Sequence, residues 1–212
     1  MSEARPVKLT MGIATALLVI ACGLSLYLAS MATFGSGPVG CGPESSCSDI
    51  LSSRWASLFG VPVGWPAAVV YAALAWVSFR LRDGYASAAP NALGPGGAIL
   101  VVGAALWFTA VQAFFEKAFC PWCLATHLTA SLGVICLSLG RRRLHFDDRW
   151  PRAPKWFQPE VVALTLALLV GFIAGQALQT ESSAAPGAAV VHSEGGAPSS
   201  ASGGTPVAPL DA

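Results

Sequence analysis

Five apolar stretches, each long enough to cross a membrane as a helix, dominate this sequence. The first runs from Leu9 to Thr33 without a charged side chain, and a spanning helix needs about 20 apolar residues. The other four lie near residues 63–79, 98–115, 120–139 and 161–178. Inside lipid only helices and closed barrels satisfy every backbone hydrogen bond, so these stretches predict an all-α integral membrane bundle of five spans.

The low charge content agrees with a membrane protein. Charged residues make up 11% of the 212 residues, against about 25% in soluble domains. The net charge is only +1 and no basic patch is interleaved with aromatic residues, so we expect no nucleic acid partner. The basic start at Arg5 and Lys8 also fits a secretory signal peptide, but such peptides have apolar cores of about 7–15 residues. We therefore predict that residues 9–33 are retained as the first span.

The segments outside the spans divide the chain. Residues 1–8 form an N-terminal segment, residues 9–178 form the membrane domain, and residues 179–212, rich in Ser, Ala, Gly and Pro, predict a disordered tail. Glycine and proline residues at 34–63 predict a loop outside the bilayer, with a short interfacial helix from Ser45 through Phe59. A second group of turn residues, from Pro90 to Gly97, predicts a turn before the third span.

One cysteine pair stands at the head of the fourth span. Cys120 and Cys123 form a C-x-x-C motif that contains Pro121. Proline favours the first turn of a helix, because backbone N–H groups there have no acceptor within the helix and the N–H that proline lacks is not needed. Cys120 should then cap the helix. The partial positive charge of a helix N-terminus favours a thiolate, which makes such cysteines nucleophilic. His127, four residues beyond Cys123, shares its helical face.

A second pair, Cys41 and Cys47, lies in the glycine-rich loop, where the two thiols can reach each other. Taken alone, this pair fits a disulfide that staples the loop. Two dithiols that approach each other can also form an electron relay by thiol–disulfide exchange. Four cysteines could instead bind zinc, although structural zinc sites usually combine two short C-x-x-C knuckles. A redox enzyme, a non-enzymatic protein with structural disulfides and a metal-binding protein all remain open. Cys22 and Cys136 lie within spans and are expected to be inert.

The basic residues give the orientation. With five spans, ten of the twelve Lys and Arg residues fall on the side of the N-terminus, and only Arg54 and Lys117 fall on the other. The positive-inside rule places the basic side in the cytoplasm. Both cysteine pairs and the C-terminal tail are then predicted to face outward, into a compartment where disulfides persist.

The run Ser52-Ser53-Arg54-Trp55 stands between the two pairs. Together with both pairs and their spacing, this run resembles the bacterial branch of the vitamin K epoxide reductase family, over about residues 8–178. The resemblance implies a four-helix core that encloses a quinone, menaquinone or ubiquinone, with a fifth transmembrane helix beside it. Because Cys41 and Cys47 are spaced C-x5-C rather than C-x-x-C, we expect no metal site.

The resemblance implies a role for each cysteine. Cys123 would lie nearest the quinone ring, and Cys120 would exchange with the loop. Cys47 would carry that exchange, and Cys41 would meet the outside substrate. The implied activity is oxidation of the dithiol of a folding catalyst, with the electrons passed to quinone.

The resemblance also implies non-cysteine site residues. Ser53 would lie beside the quinone pocket, and Trp55 would lie in the cap that shields it. His127 occupies the position of a tyrosine in the vertebrate enzyme, and its ring nitrogen can bond a quinone carbonyl. Plain packing is the competing role for the candidate wall residues, which are Trp55, Phe59, Trp107, Phe108, Val111 and Phe114.

The surroundings follow from the same resemblance. Many bacterial members continue into a thioredoxin-like domain, whereas residues 179–212 here are only a Gly/Ala/Ser tail. We therefore expect a thioredoxin-like dithiol partner in trans. The protein is expected to act as a monomer in the inner (cytoplasmic) membrane, among lipid and quinone.

Overall fold

The computed structural model describes residues 4–34, 38–39, 46–83, 88–145 and 159–179. Its five long helices each contain a stretch apolar enough to cross a membrane. They are α1 (Ala4–Phe34), α3 (Gly64–Arg82), α4 (Ala88–Ala110), α5 (Pro121–His145) and α6 (Pro159–Leu178). The predicted all-α bundle with five spans is confirmed.

The helix α1 is an internal member of the bundle. It runs antiparallel to α3, because Ser78 Oγ donates to Met11 O at 3.0 Å near one end and Ser25 Oγ donates to Gly64 O at 3.0 Å near the other. Its most extensive contacts are with α3 and α5. Because α1 packs against two other helices of the bundle, the structure agrees with the prediction that residues 9–33 form the first span.

The buried core lies between α1, α3 and α5. On α1 the buried residues Met11, Ala14, Leu18 and Ala21 recur every three or four positions, which places them on one helical face. The facing residues are Tyr71, Leu74, Ala75, Val77 and Leu81 of α3, with Ala130, Val134 and Leu137 of α5. The helix α4 packs against α5, and α6 packs mainly along α4.

The outer face of the bundle is apolar. Leu106 is 68% exposed, and Leu128, Leu164 and Val170 are each 63% exposed. A soluble protein rarely presents so much contiguous apolar surface to water. Acyl chains solvate such side chains, so the described helices belong to a multi-pass membrane protein.

The close contact between α1 and α3 depends on Gly64. A Cβ atom at this position would lie 2.8 Å from the Ser25 carbonyl oxygen and 2.9 Å from Ala29 Cβ. Both neighbours belong to one helix and cannot move independently. Glycine therefore sets how near the two helices come, as small residues do in membrane bundles.

The predicted turn from Pro90 to Gly97 is wrong, because α4 begins at Ala88 and continues through these residues. Pro90 falls in the first turn of α4, where a backbone N–H would have no acceptor within the helix, so proline costs no hydrogen bond there. Pro95 lies inside the helix. In lipid an unpaired backbone group is costly, which favours extending a helix through residues that form turns in water.

The predicted interfacial helix from Ser45 through Phe59 is also wrong in extent. The helix α2 covers only Ser46–Ser52 and is followed by a 3₁₀ turn at Arg54–Ala56. Two short antiparallel strands come next, β1 (Ser57–Leu58) and β2 (Val61–Pro62). Their turn residues Phe59 and Gly60 both have positive φ, 51° and 80°, as a tight two-residue hairpin requires. We call residues 46–62 the cap.

The remaining predictions about connections reach beyond the described residues. The helix α5 continues to His145, beyond residue 139, where the fourth span was predicted to end. Gln179, the first residue of the tail predicted for residues 179–212, is bonded to the cap. Cys41, residues 146–158 and residues 180–212 lie outside the described part of the chain.

Candidate active site

A cavity of about 120 Å³ lies beneath the cap, at the end of the bundle where α5 begins. An engineered apolar cavity of about 150 Å³ admits benzene, so this space is of the size of a single ring. Most of its walls are apolar side chains. They are Leu28, Ala29, Ala32, Ile50, Leu51, Trp55, Ala56, Pro62, Val63, Ala67, Ala104, Phe108 and Val111. Its polar members are Ser25, Ser53, Tyr71, Gln112, Cys123, Thr126 and His127.

The C-x-x-C pair stands at the start of α5, as predicted. Pro121 is the first helical residue, and the Leu124 N–H donates to Cys120 O at 3.0 Å as the first helical bond. The Cys123 N–H donates to Cys120 Sγ at 3.2 Å, so the sulfur takes the place of a capping oxygen. Cys120 is fully buried, whereas Cys123 is half-buried and faces the cavity.

Hydrogen bonds to Cys120 stabilise its thiolate. The strongest comes from the Cys123 side chain, and backbone N–H groups of Cys123 and Trp122 add to it. Burial acts in the opposite direction, because a charge loses hydration. The hydrogen bonds prevail and lower the pKa of Cys120 from 9.0 to about 7.

A pH profile tests this arrangement. With a pKa of about 7, about half of Cys120 is thiolate at pH 7, against about 1% for a pKa of 9.0. We expect its iodoacetamide alkylation rate, resolved by mass spectrometry, to rise through pH 7 and then level off. In Cys123→Ala, measured in fully reduced protein so that Cys120 is not held in a disulfide, the main donor is lost and the profile should move to higher pH. An unmoved profile in that variant would show that the Cys123 thiol does not stabilise the thiolate.

Cys47 of the cap lies in the same buried cluster as Cys120. Cys47, Ile50 and Cys120 form its centre, with Trp122 and Cys123 packed against it. Cys47 is disulfide-bonded, whereas Cys120 and Cys123 are free thiols. Three of the four predicted active-site cysteines are thus adjacent, and the fourth, Cys41, lies outside the described residues.

The tryptophan of the motif holds the loop that leads toward Cys41. Trp122 Nε1 donates to Val39 O at 3.2 Å, and Val39 N–H donates to Tyr27 Oη at 2.8 Å. The Tyr27 and Trp122 rings also contact each other, with centroids 5.6 Å apart. Val39, two residues before Cys41 in the sequence, is therefore held beside the tryptophan of the C-x-x-C motif.

The three predicted non-cysteine residues all line the cavity. Trp55 is 6% exposed and forms part of its roof, with the Arg54 guanidinium 4.4 Å above the ring centroid. Ser53 Oγ donates to Ile50 O at 2.9 Å, which holds the end of α2. His127 stacks on Phe108 with ring centroids 5.7 Å apart and planes 10° apart.

Half of the candidate wall residues are not in the wall. Trp55, Phe108 and Val111 line the cavity, but Phe59, Trp107 and Phe114 do not. Phe59 sits at the hairpin tip and is 75% exposed, while Phe114 is 76% exposed. Helical periodicity could not exclude them, because it does not show the hairpin or the irregular turn that ends α4.

That irregular turn is a π turn at Val111–Phe115, closed by a bond from the Glu116 N–H to Val111 O at 3.0 Å. The wider turn leaves Val111 and Gln112 both buried beside the cavity. Single π turns within helices are frequent at functional sites. The Gln112 Oε1 accepts a hydrogen bond from the Cys120 N–H at 2.8 Å.

Gln176 of α6 and Gln179, the residue after its end, hold the cap, and we call them the latch. Gln176 Nε2 donates to Trp55 O at 2.7 Å, and its Oε1 accepts from Trp107 Nε1 at 2.8 Å. Gln179 Nε2 donates to Arg54 O at 2.9 Å and to Ser57 O at 2.7 Å. The latch therefore fixes the roof of the cavity from a helix that does not line it.

Sequence reasoning missed Gln112 and Gln176, although a signal was available. Both are amides inside apolar helices, and polar groups in the membrane are costly enough to suggest a function. Periodicity alone assigned these helices to packing. Their hydrogen-bond partners, from 8 to 121 residues away in sequence, became visible only in the folded bundle.

The described residues contain no group of three or more His, Cys, Asp or Glu side chains that could hold a metal ion. Cys41, the fourth cysteine considered for zinc, falls outside this search. The geometry around Cys120 is instead that of a thiol pair joined to an apolar cavity.

Comparison with known proteins assigns the family. No curated protein matches the sequence. The sequence model of the vitamin K epoxide reductase family matches residues 9–139, from α1 through most of α5, and leaves α6 outside. Since the match extends over more than half of the chain, this protein belongs to the vitamin K epoxide reductase family and is a membrane oxidoreductase.

Proposed function

We propose that this protein oxidises a dithiol protein outside the cytoplasm and passes two electrons through two cysteine pairs to a membrane quinone. One observation carries the proposal. Cys120 packs against Cys47 of the cap, while Cys123 lines the ring-sized cavity. A single C-x-x-C motif thereby contacts both a loop cysteine and the place where a quinone ring would bind.

The exchange balances in electrons and bonds. A reduced partner converts the Cys41–Cys47 disulfide to two thiols and becomes a disulfide itself. The Cys47 thiolate attacks Cys120 in the Cys120–Cys123 disulfide and releases the Cys123 thiolate. Cys41 then attacks Cys47, which restores the loop disulfide and leaves Cys120 reduced. An oxidised Cys47 beside free Cys120 and Cys123 is the arrangement expected after this exchange.

The reduced pair then delivers two electrons to the quinone, which takes up two protons to become the quinol, while Cys120 and Cys123 return to the disulfide. The quinone carbonyl oxygens gain negative charge during this step. A nearby donor lowers the barrier by stabilising that charge, and we assign this role to His127. The head group of ubiquinone is a single ring and that of menaquinone is two fused rings, and both are flat groups that would reach an apolar site from the bilayer.

The distribution of basic residues supports the orientation. At the bundle end opposite the cysteines lie Lys8, Arg80, Arg82, Arg141, Arg142 and Arg143. At the cysteine end the described basic residues are Arg54 and Lys117. By the positive-inside rule the cysteines face the outside of the inner membrane. The dithiol partner is proposed to be a separate thioredoxin-like protein, and the enzyme is proposed to act as a monomer.

Reconstitution tests the proposal. We expect the purified protein in liposomes containing menaquinone or ubiquinone to form one quinol for each dithiol of a reduced thioredoxin-like protein oxidised. Quinol is followed by its ultraviolet absorbance, and partner thiols by alkylation. Cys136→Ala, which changes a thiol in the middle of α5, serves as the control and should retain the rate. Absence of quinol formation, or quinol formation without thiol loss, would contradict the proposal.

A further inference from the structure

The polar groups of the cavity fall into two classes. The hydroxyl groups of the first class donate to backbone carbonyl oxygens and have no hydrogen left to offer. They are Ser25 to Gly64 O at 3.0 Å, Ser53 to Ile50 O at 2.9 Å and Thr126 to Trp122 O at 2.9 Å. The second class comprises Tyr71, Gln112 and His127, whose side chains retain a donor with no acceptor among the described residues.

Gln112 is the member of this class whose orientation is fixed by a hydrogen bond. The Cys120 N–H can only donate, so the atom that faces it at 2.8 Å must be the amide oxygen of Gln112. Its Nε2 therefore points away from Cys120. The side chain is 1% exposed, so water outside the protein does not solvate this nitrogen.

An unpaired amide nitrogen in such a place requires an explanation. Native proteins leave few buried polar groups unsatisfied, because each one loses its hydration without compensation. Gln112 lines the same cavity as Cys123. The acceptor missing from the described protein would be supplied by an oxygen atom of whatever molecule occupies the cavity.

We propose that Gln112 binds the electron acceptor by donating from Nε2 to one of its carbonyl oxygens, while Oε1 holds the backbone of Cys120. The inference rests on the proposed function, which supplies the quinone. One rigid amide would then link the acceptor to the cysteine that exchanges with the cap. The bond from Nε2 would strengthen as the carbonyl oxygen gains negative charge during reduction.

Binding, measured without turnover, tests this role. The probes are 2,3-dimethyl-1,4-naphthoquinone, whose ring positions are blocked to thiol addition, and 2,3-dimethylnaphthalene, which lacks the carbonyl oxygens. Each is added to protein in which Cys120 and Cys123 have been oxidised to the disulfide, so that no quinone is reduced, and binding is followed by quenching of tryptophan fluorescence. In Gln112→Met, which nearly conserves volume, we expect the Kd for naphthoquinone to rise roughly threefold to tenfold, as loss of one hydrogen bond predicts. The Kd for naphthalene should change less than about twofold, because it has no acceptor.

Controls separate this role from a structural one. Thr129→Val removes an exposed hydroxyl that is bonded only to Ala125 O and should leave both Kd values unchanged. If Gln112→Met does not fold, Gln112→Asn keeps the amide but shortens it by one methylene, and the same selective loss is expected. An unchanged Kd for naphthoquinone, or equal losses for both probes, would overturn the role of Gln112.

The outcome also distinguishes the two proposals. If the wild-type protein reduces quinone but Gln112→Met binds naphthoquinone normally, only the inference about Gln112 fails. If the wild-type protein binds no naphthoquinone at all, both the inference and the assignment of the cavity as the quinone site fail.

Discussion

Replacing Cys123 by alanine is expected to abolish quinone reduction and to trap a disulfide between Cys47 and Cys120. Cys123 is the motif cysteine that faces the cavity, and it is also the thiol that would resolve a bond between Cys120 and the cap. Without it, Cys120 can still attack Cys47 but cannot pass the electrons onward. We expect the rate of quinol formation to fall by about 10³-fold or more, as for other members of a cooperating catalytic pair.

Two readouts make this experiment decisive. Quinol absorbance gives the loss of activity, and non-reducing peptide mapping identifies the trapped disulfide. Cys120→Ala should lose activity equally but should form no such bond, because the attacking sulfur is absent. Cys22→Ala changes a free thiol of α1 that bonds only the Ala68 carbonyl, and it should retain activity. Wild-type quinol formation by Cys123→Ala would refute the assignment of the relay.

Replacing Gln176 of the latch by leucine is expected to weaken quinone binding and lower the stability of the protein. Gln176 is fully buried, and its loss leaves both Trp55 O and Trp107 Nε1 without their partner. Each buried polar group left unpaired costs about 1–3 kcal/mol. Trp55 covers the cavity, so a cap that is held less firmly spends a smaller fraction of time in the closed conformation that binds quinone. We expect the KM for quinone to rise roughly tenfold for each 1.4 kcal/mol by which the closed conformation of the cap is destabilised. The value of kcat should be less affected.

The measurement combines steady-state kinetics with thermal unfolding in detergent. Leu168→Ala, on the same helix but 59% exposed toward lipid, is the matched control and should leave KM unchanged. Gln179→Leu removes the bonds to Arg54 O and Ser57 O and should resemble Gln176→Leu. If Gln176→Leu retained both KM and melting temperature, the latch would have no role in holding the cap.

Much of the fold could be predicted because its strongest constraints are local. The uncharged stretch from Leu9 to Thr33 specifies a helix by its length and composition. Pro121 and the C-x-x-C motif specify where α5 begins, and the observed first residue agrees. The turn predicted from Pro90 to Gly97 failed because its residue preferences come from water-soluble proteins, whereas lipid favours a continuous helix.

The site was predictable only in part, for a different reason. The motif led to Cys123 and His127, and both line the cavity. The role of Gln112 depends on a π turn and on a bond to Cys120, neither of which has a sequence signature. Phe59 and Phe114 looked like wall residues, but the hairpin and the end of α4 turn them outward.

The sequence by itself determined the number of spans, the position of the cysteine pair and the family, because each follows from residues that are close together in the chain. Tertiary structure decided which polar groups are satisfied and which face the cavity. Gln176 reaches Trp55 across 121 residues, and Cys47 meets Cys120 only when the cap closes on α5. These contacts require each helix to lie at a particular depth and to be rotated to a particular angle about its own axis. Both are set by packing between helices that are distant in sequence.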